Sequence, residues 1–425
     1  MNNNNENKLV PKLRFPEFEN EATWRERKLS EVLFEHKEKS TGKEDVYSVS
    51  VHKGVVNQIE HLGRTFAASN TENYKRVLPG DIIYTKSPTG DFPYGIIKQS
   101  KVSNPVIVSP LYGVFKPETF ELGLILDAYF AYPERTINYL SSIIQKGAKN
   151  TININNETFL SKSLVIPIDK IEQQKIAACL SSLDEVITAE SQKLELLKEH
   201  KKGLLQNLFP QEGETVPKLR FKEFEDSGEW VEKVLGDCLL INPEYGINAP
   251  AVPFSNKLPT YLRITDISED GRFLSKEKVS VDREVTENNY LSEGDIVIAR
   301  TGASVGKSYK YRGEDGRLVF AGFLIRVKPD ADKLISDFLF QFLSSRQYWK
   351  WVSFISARSG QPGINGTEYA SMPIYLPPSL AEQEKIAATL SSIDDLINAQ
   401  SQKIAALKMH KKGLLQGLFP EIKND

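Results

Sequence analysis

Two stretches of the chain carry apolar residues in alternating steps of four and three. The first series is Ile176, Leu180, Leu183, Ile187, Leu194, Leu197, Leu204 and Leu208, and the second is Ile386, Leu390, Ile393, Ile397, Ile404, Leu407, Leu414 and Leu418. Such spacing is a heptad seam. From Glu172 and Glu382 onward, 27 of 39 positions are identical at a constant offset of 210 residues, so the two stretches are copies of one unit. Each follows a proline and opens on a capping-box pattern, Asp169-x-x-Glu172 or Ser379-x-x-Glu382, in which both side chains are expected to satisfy free N–H groups of the first turn. Matching polar residues, Glu190 and Lys201 against Gln400 and Lys411, interrupt the seam and are expected to set register at some cost in stability. Gly203 and Gly413 either end the helix or sit inside it; Leu204 and Leu208 stay in phase, which favours continuation. A narrow seam along roughly 58 Å of helix, about 39 residues at 1.5 Å, suits a coiled coil between the two copies better than a pair of ordinary core helices.

A second repeat precedes each helix. PKLRFPEFE at Pro11 to Glu19 returns as PKLRFKEFE at Pro217 to Glu225, and Trp24 returns as Trp230 at the same offset of 206. The organisation is therefore arm (1–23), variable block (24–166) and long helix (167–210), then linker and arm (211–229), block (230–376), helix (377–420) and tail (421–425). Because only the short polar linker Gln211 to Val216 separates the units, the first arm can follow the second helix in space as the second arm follows the first in sequence. That predicts a cyclic, pseudo-twofold arrangement with neighbouring termini.

The blocks share a grammar but differ in wording. Each has a turn and strand (Pro79-Gly80-Asp81-Ile82-Ile83; Glu293-Gly294-Asp295-Ile296-Val297), with Lys86 or Arg300 five residues beyond the aspartate. Each has a strand ending in Lys116-Pro117 or Lys328-Pro329, then a helical stretch (Leu124 to Ile144, broken near Pro133; Leu334 to Ile355). Each closes on a Gly-rich loop, Lys146 through Ile152-Asn153 or Arg358 through Ile364-Asn365. Two related α+β domains on one helical frame are expected.

At 425 residues, 40% hydrophobic and 26% charged, the chain has the length of two or three soluble domains. No apolar run is long enough to span a membrane and the Asn-rich start, MNNNNENK, lacks a secretory h-region, so a disordered lead and a cytoplasmic location are expected. A net charge of −2 leaves nucleic-acid binding to local patches and is too weak for an acidic DNA mimic. Cys179 and Cys238 have neither disulfide nor metal spacing and read as small buried hydrophobes.

Candidate catalytic motifs do not hold together. Gly302-Ala303-Ser304-Val305-Gly306-Lys307-Ser308 has only three residues between its glycines, and the strand-like Tyr309-Lys310-Tyr311-Arg312 after it cannot cradle phosphate as a helix N-terminus does. Asn242-Pro243-Glu244-Tyr245 lacks the second proline and glycine-rich loop of an amino-methyltransferase and reads as a turn. The histidines (His36, His52, His61, His200, His410) form no zinc pattern. The expectation is a chain without catalytic residues, metal or cofactor of its own.

Binding chemistry remains. Between Ile296 and Lys328 stand seven basic residues against Glu314 and Asp315; from Phe338 to Thr367 there is no acid, while Arg346, Lys350 and Arg358 interleave with Tyr348, Trp349 and Trp351. Basic residues beside loop Ser, Thr and Gln suit phosphate and base-edge contacts; the alternative is a solvated basic face over an aromatic core. The candidate DNA-binding residues are Lys86, Thr89, Lys146 and Lys149 in the first block. In the second they are Arg300, Thr301, Ser304, Lys307, Lys310, Arg346, Lys350, Arg358 and Gln361.

The PKLRFPEF arms, Tyr261-Leu262-Arg263-Ile264-Thr265-Asp266-Ile267, the run from Gly294 to Lys307 and the Pro-Pro-x-x-Glu-Gln-x-Lys-Ile-Ala entry to a long helix together resemble the specificity subunit of type I restriction-modification systems. The resemblance covers nearly the whole chain. The first block departs from it at Ile166-Pro167-Ile168-Asp169 and at Thr85-Lys86-Ser87-Pro88. The resemblance implies two target recognition domains, each reading half of a bipartite asymmetric DNA sequence, set apart by an antiparallel helix pair. It also implies partners: two modification subunits that use S-adenosylmethionine, and restriction subunits that use ATP and magnesium. A coiled-coil interaction protein without a DNA role, and an enzyme acting through the P-loop-like run, are the readings from other classes.

Overall fold

The computed structural model describes residues 9–21, 24–64, 70–146, 152–357 and 362–420. The expected disorder of MNNNNENK and the tail 421–425 lie outside them. The chain forms two compact units, one of residues 190–402 and one of 1–189 together with 403–425. Each unit therefore contains one half of each long helix.

Those helices run from Lys170–Leu208 and Leu380–Leu418, 39 residues each, and continue through both glycines. In the 190–402 unit, Leu204, Leu205 and Leu208 share a core with Ile386, Ala387 and Leu390, and Lys201 Nζ meets Asp394 at 2.6 Å. In the other unit, Ile176 and Leu180 pack with Leu414, Leu415 and Leu418, and Lys411 pairs with Asp184. Low numbers face high numbers in both, so the halves are antiparallel. Of the seam, Ile176, Leu180, Ile386, Leu390, Ile393 and Ile404 are buried, whereas Leu183, Ile187, Leu194, Leu197, Ile397 and Leu407 are half-buried. The polar interruptions are partnered: Gln400 Nε2 donates to the Glu190 carbonyl at 2.9 Å, and both lysines reach an aspartate of the facing helix.

The capping box forms only by half. Asp169 Oδ1 accepts the N–H groups of Ile171 and Glu172 at 2.7 and 2.9 Å. Glu172 does not turn back to close the box, because its buried carboxylate takes two charge-assisted bonds from Arg14, at 2.7 and 2.8 Å, and one from Trp24 Nε1 at 3.0 Å. The second copy repeats the lock: Arg220 donates twice to Glu382 at 2.8 Å, and Trp230 Nε1 once at 3.3 Å. The adjacent glutamine reaches the other way. Gln173 accepts from Thr119 Oγ1 and donates to the Pro167 carbonyl; Gln383 accepts the Ile335 N–H and donates to the Lys333 carbonyl. One Glu-Gln pair thus fastens the arm and a block helix to each long helix.

Within each unit an arm meets the end of a long helix, the first arm the second helix and the second arm the first. Leu219 N–H bonds to the Asn207 carbonyl and Trp230 meets Phe209 edge-on at 6.1 Å; equivalently, Leu13 N–H bonds to Gly417 and Trp24 meets Phe419 at 6.1 Å.

Each block contains an antiparallel four-stranded sheet of one topology. In the first the order is Leu33–Glu35, Gly113–Pro117, Ile82–Tyr84, Ile97–Gln99; in the second it is Glu244–Tyr245, Leu324–Val327, Ile296–Ala299, Ser308–Lys310. Gly80 and Gly294, at φ +90° and +87°, make the left-handed turn that brings Asp81 and Asp295 into place before the central strand. A strand pair joins the ends of each block, Arg25–Lys28 with Ser163–Ile166 and Val231–Val234 with Pro373–Leu376. The blocks diverge beyond this frame. The first has a short hairpin, Tyr47–Ser50 with Gly54–Asn57, and a separate antiparallel pair, Lys75–Val77 with Val106–Val108, whereas the second builds a further sheet from Ala251–Pro253, Val279–Val281, Thr260–Leu262 and Leu318–Phe320. Helices follow the sheet in both, Phe120–Phe130 and Pro133–Leu140 in one, Ser336–Phe342 and Arg346–Ser356 in the other.

Three expectations change. Asn242 to Tyr245 is not a turn: Glu244–Tyr245 is an edge strand, because Glu244 pairs in register with the buried Arg326 and neutralises it. The closing loops align two residues later than expected, since Asn155 and Asn365 cap equivalent short helices. Cys238 is buried, but Cys179 is only half-buried, at the edge of the helix seam.

Candidate nucleic-acid interface

The central strand of each sheet leads into a cation. Lys86 follows Ile82–Tyr84 with a φ of +55°, a left-handed backbone that a lysine adopts at a cost of order 1–3 kcal/mol. Burial pushes its ammonium pKa down, and the neighbouring Lys75 adds to the effect. Lys75 itself donates to the Tyr112 carbonyl at 2.7 Å and lies 4.0 Å from Glu35. Thr89 is exposed at the tip of a turn closed by paired bonds to Phe92.

Arg300 follows Ile296–Ala299, and its guanidinium lies over the Tyr245 ring at 4.9 Å. The Tyr245 hydroxyl accepts the N–H of Gly366, so the edge strand, the cation and the closing loop meet at one end of the sheet. Thr301 bridges to Gly363, and Ser304 lies in a short turn of Gly302–Ser304. A strand, Ser308–Lys310, comes next, as the alternation of that run predicts.

Most of the basic run in the second block is answered by acids distant in sequence. Lys307 meets Glu269 at 2.8 Å, Lys310 meets Asp337, and Arg317 meets Glu287 at 2.7 Å. Arg326 is buried, with Glu244 at 2.9 Å and Asp295 at 3.5 Å, so it belongs to the scaffold. Burial pushes the Asp295 carboxyl up, while Lys328 and Arg326 counter it. Lys350 reaches Glu212 at 3.0 Å, an exposed pair. Arg346 borders a cleft of about 590 Å³ with Lys198, Lys202 and the half-exposed Trp349. Lys86, Thr89, Arg300, Thr301 and Ser304 stand at loops by the sheet ends, and Lys307 stands at the same end as Arg300, opposite Ala299, where it meets Glu269; Lys310, Arg346 and Lys350 stand elsewhere in their unit. Lys149, Arg358 and Gln361 lie outside the described residues, as does the Lys146 side chain.

The buried aspartates show how one frame takes different partners. Asp81 accepts the Leu78 N–H at 2.7 Å, as Asp295 accepts that of Ser292 at 2.9 Å. The cation beside Asp81 is His36, at 2.8 Å, whose pKa is raised by that hydrogen bond against the opposing effect of burial. Sequence reading missed Tyr245, and its motif dismissed on other grounds was the only signal.

A duplicated frame that carries two diverged blocks of one sheet topology defines a class of protein with two different surfaces on one scaffold. The family model for the type I restriction modification DNA specificity domain matches twice, over residues 22–199 and 229–409, and the chain belongs to that family. Two relatives come from Methanocaldococcus jannaschii. The putative type I restriction enzyme MjaX specificity subunit is 27% identical over 289 residues, covering 65% of this chain and 63% of its own length. The type I restriction enzyme MjaVIII specificity subunit is 26% identical over 305 residues, covering 69% of each. The fold is similar to that of the type I restriction-modification S subunit from M. genitalium, with a TM-score of 0.62 at 14% identity, over 97% of this chain and 100% of that one. A chain from a study of complex assembly and conformational transition in the type I R-M system gives 0.52 at 18% identity, over 93% and 97%.

Proposed function

We propose that this chain is the DNA-specificity subunit of a type I restriction-modification complex and performs no catalysis itself. Each block is a target recognition domain that reads one half of a bipartite, asymmetric duplex sequence, and the antiparallel helices set the gap. The observation that carries this reading is one sheet topology, presented twice on a duplicated lock of Arg, Trp and Glu, with different side chains at the same strand ends. A frame of that kind fixes two readers while leaving each free to differ.

Lys86 and Arg300, equivalent in two domains that read different bases, hold phosphate; the loops that differ read base edges. The catalytic chemistry belongs to partners, S-adenosylmethionine to modification subunits and ATP with magnesium to restriction subunits. Exposed apolar residues recur at equivalent positions, Val186 and Leu396 on the helices and Leu13 and Leu219 on the arms. Repeated patches suit two copies of one partner, the modification subunit. Mapping methylated bases in host DNA with and without this chain tests the reading. A bipartite motif that disappears with the chain is expected, and an unchanged methylation pattern refutes it. Duplex binding by the assembled complex should also weaken steeply with salt as counterions are released.

A further inference from the structure

The sheets of the two domains end alike. In the second, Ala299 pairs with Leu324, and the next step sets Arg300 opposite Phe323, whose carbonyl accepts the Arg300 N–H at 3.0 Å. In the first, Tyr84–Gly113 is the last pair; two residues beyond it one segment reaches Lys86 and the other lies in the Ser109–Tyr112 turn that holds Leu111. The residue at that place before the partner strand is in both cases a large apolar side chain left in the open, Leu111 at 75% exposure and Phe323 at 61%. The strands that follow place Val114, Phe115, Leu324 and Ile325 inside, so each strand buries its other apolar groups and leaves this one out. The local sequences, Ser109-Pro110-Leu111 and Ala321-Gly322-Phe323, have only the apolar side chain in common.

A single exposed hydrophobe is ordinary. The same place at the start of the partner strand, occupied this way in two diverged domains, is not explained by either core. Where the cation holds a phosphate, an apolar neighbour reaches the bases, against a thymine methyl or between base steps. We propose that Leu111 and Phe323 are specificity-determining residues, one for each half-site, each making an apolar contact with a base of the duplex whose backbone Lys86 or Arg300 holds. This rests on the reading of the chain as a DNA-specificity subunit.

The test uses the full chain assembled with its modification subunits, with methylation of host DNA as the readout. Phe323→Ala should lower discrimination about tenfold at one position of one half-site and leave the other half unchanged, and Leu111→Ala should do the converse. Phe323→Leu and Leu111→Met should retain the motif. Because both side chains are exposed, all four variants should melt with the wild type. Alanine variants that reproduce the wild-type motif and occupancy, or that lose methylation equally at every position of both halves, overturn the proposal while the specificity reading stands. A wild-type chain that directs no motif overturns that reading and this proposal with it.

Discussion

At the scale of single residues, the buried Glu382 carries the most. Arg220 is almost wholly buried with it, so Glu382→Gln leaves a guanidinium without its counter-charge, at a cost of about 3–5 kcal/mol. Replacing the pair with Arg220→Met and Glu382→Leu should cost less than Glu382→Gln alone, and urea unfolding of the three proteins measures the order. His36 gives the first unit a pH response. Its folded pKa is raised above the usual 6.5, so the protonated form is favoured in the folded state. That contribution is fully present below pH 6.5 and is lost as pH rises through the folded value. Thermal melting of wild type and His36→Gln should therefore differ most in acid and converge in alkali; a gap that widens with pH contradicts this. Asp295 is held instead by Arg326 and Lys328.

At the scale of elements, the long helices hold their register through polar groups as well as leucines. Gln400 against Glu190 and Lys201 against Asp394 can each be satisfied in only one alignment. Seven residues added to both helices, after Gln192 and after Gln402, keep the heptad phase and lengthen each by about 10.5 Å. At 3.4 Å per base pair that corresponds to about three base pairs. The unspecified gap of the methylated motif should shift, with its two specified halves unchanged. Three base pairs also turn the second half-site by roughly a hundred degrees, at about 10 per turn, so weaker binding is expected alongside the shift. An active insertion mutant with the original gap would show that the helices do not set spacing.

At the scale of the whole molecule, the repeat makes two exchanges possible. Residues 24–166 replaced from a relative should change one half of the recognised sequence and leave the other, because the block helix is fastened at Gln173, a residue of the repeated frame. Methylome sequencing of the chimera decides it, and two altered halves would deny independent readers. The duplicated patches make a separate prediction. Val186→Glu or Leu396→Glu should each remove one modification subunit from the complex, read as mass by native mass spectrometry, whereas a complex of unchanged mass counts against those patches.

The helices, the arms and the duplication were legible in the sequence because they rest on local periodicity and on identity between copies, which need no knowledge of what lies across the fold. The cyclic closure followed from the same repeat. What the glutamates do was not legible: a carboxylate three residues after a cap reads as a capping box until an arginine from position 14 or 220 is brought against it. The partners of the basic run between Ile296 and Lys328 were not legible for the same reason, since Glu269, Glu287, Asp337 and Glu244 come from other parts of the chain. Charge along a sequence counts only neighbours in the chain, whereas charge on a surface counts neighbours in space. Only the tertiary structure therefore decided which cations meet a carboxylate within the fold and which stand at a strand end, as Lys86 does and as Arg300 does over the Tyr245 ring.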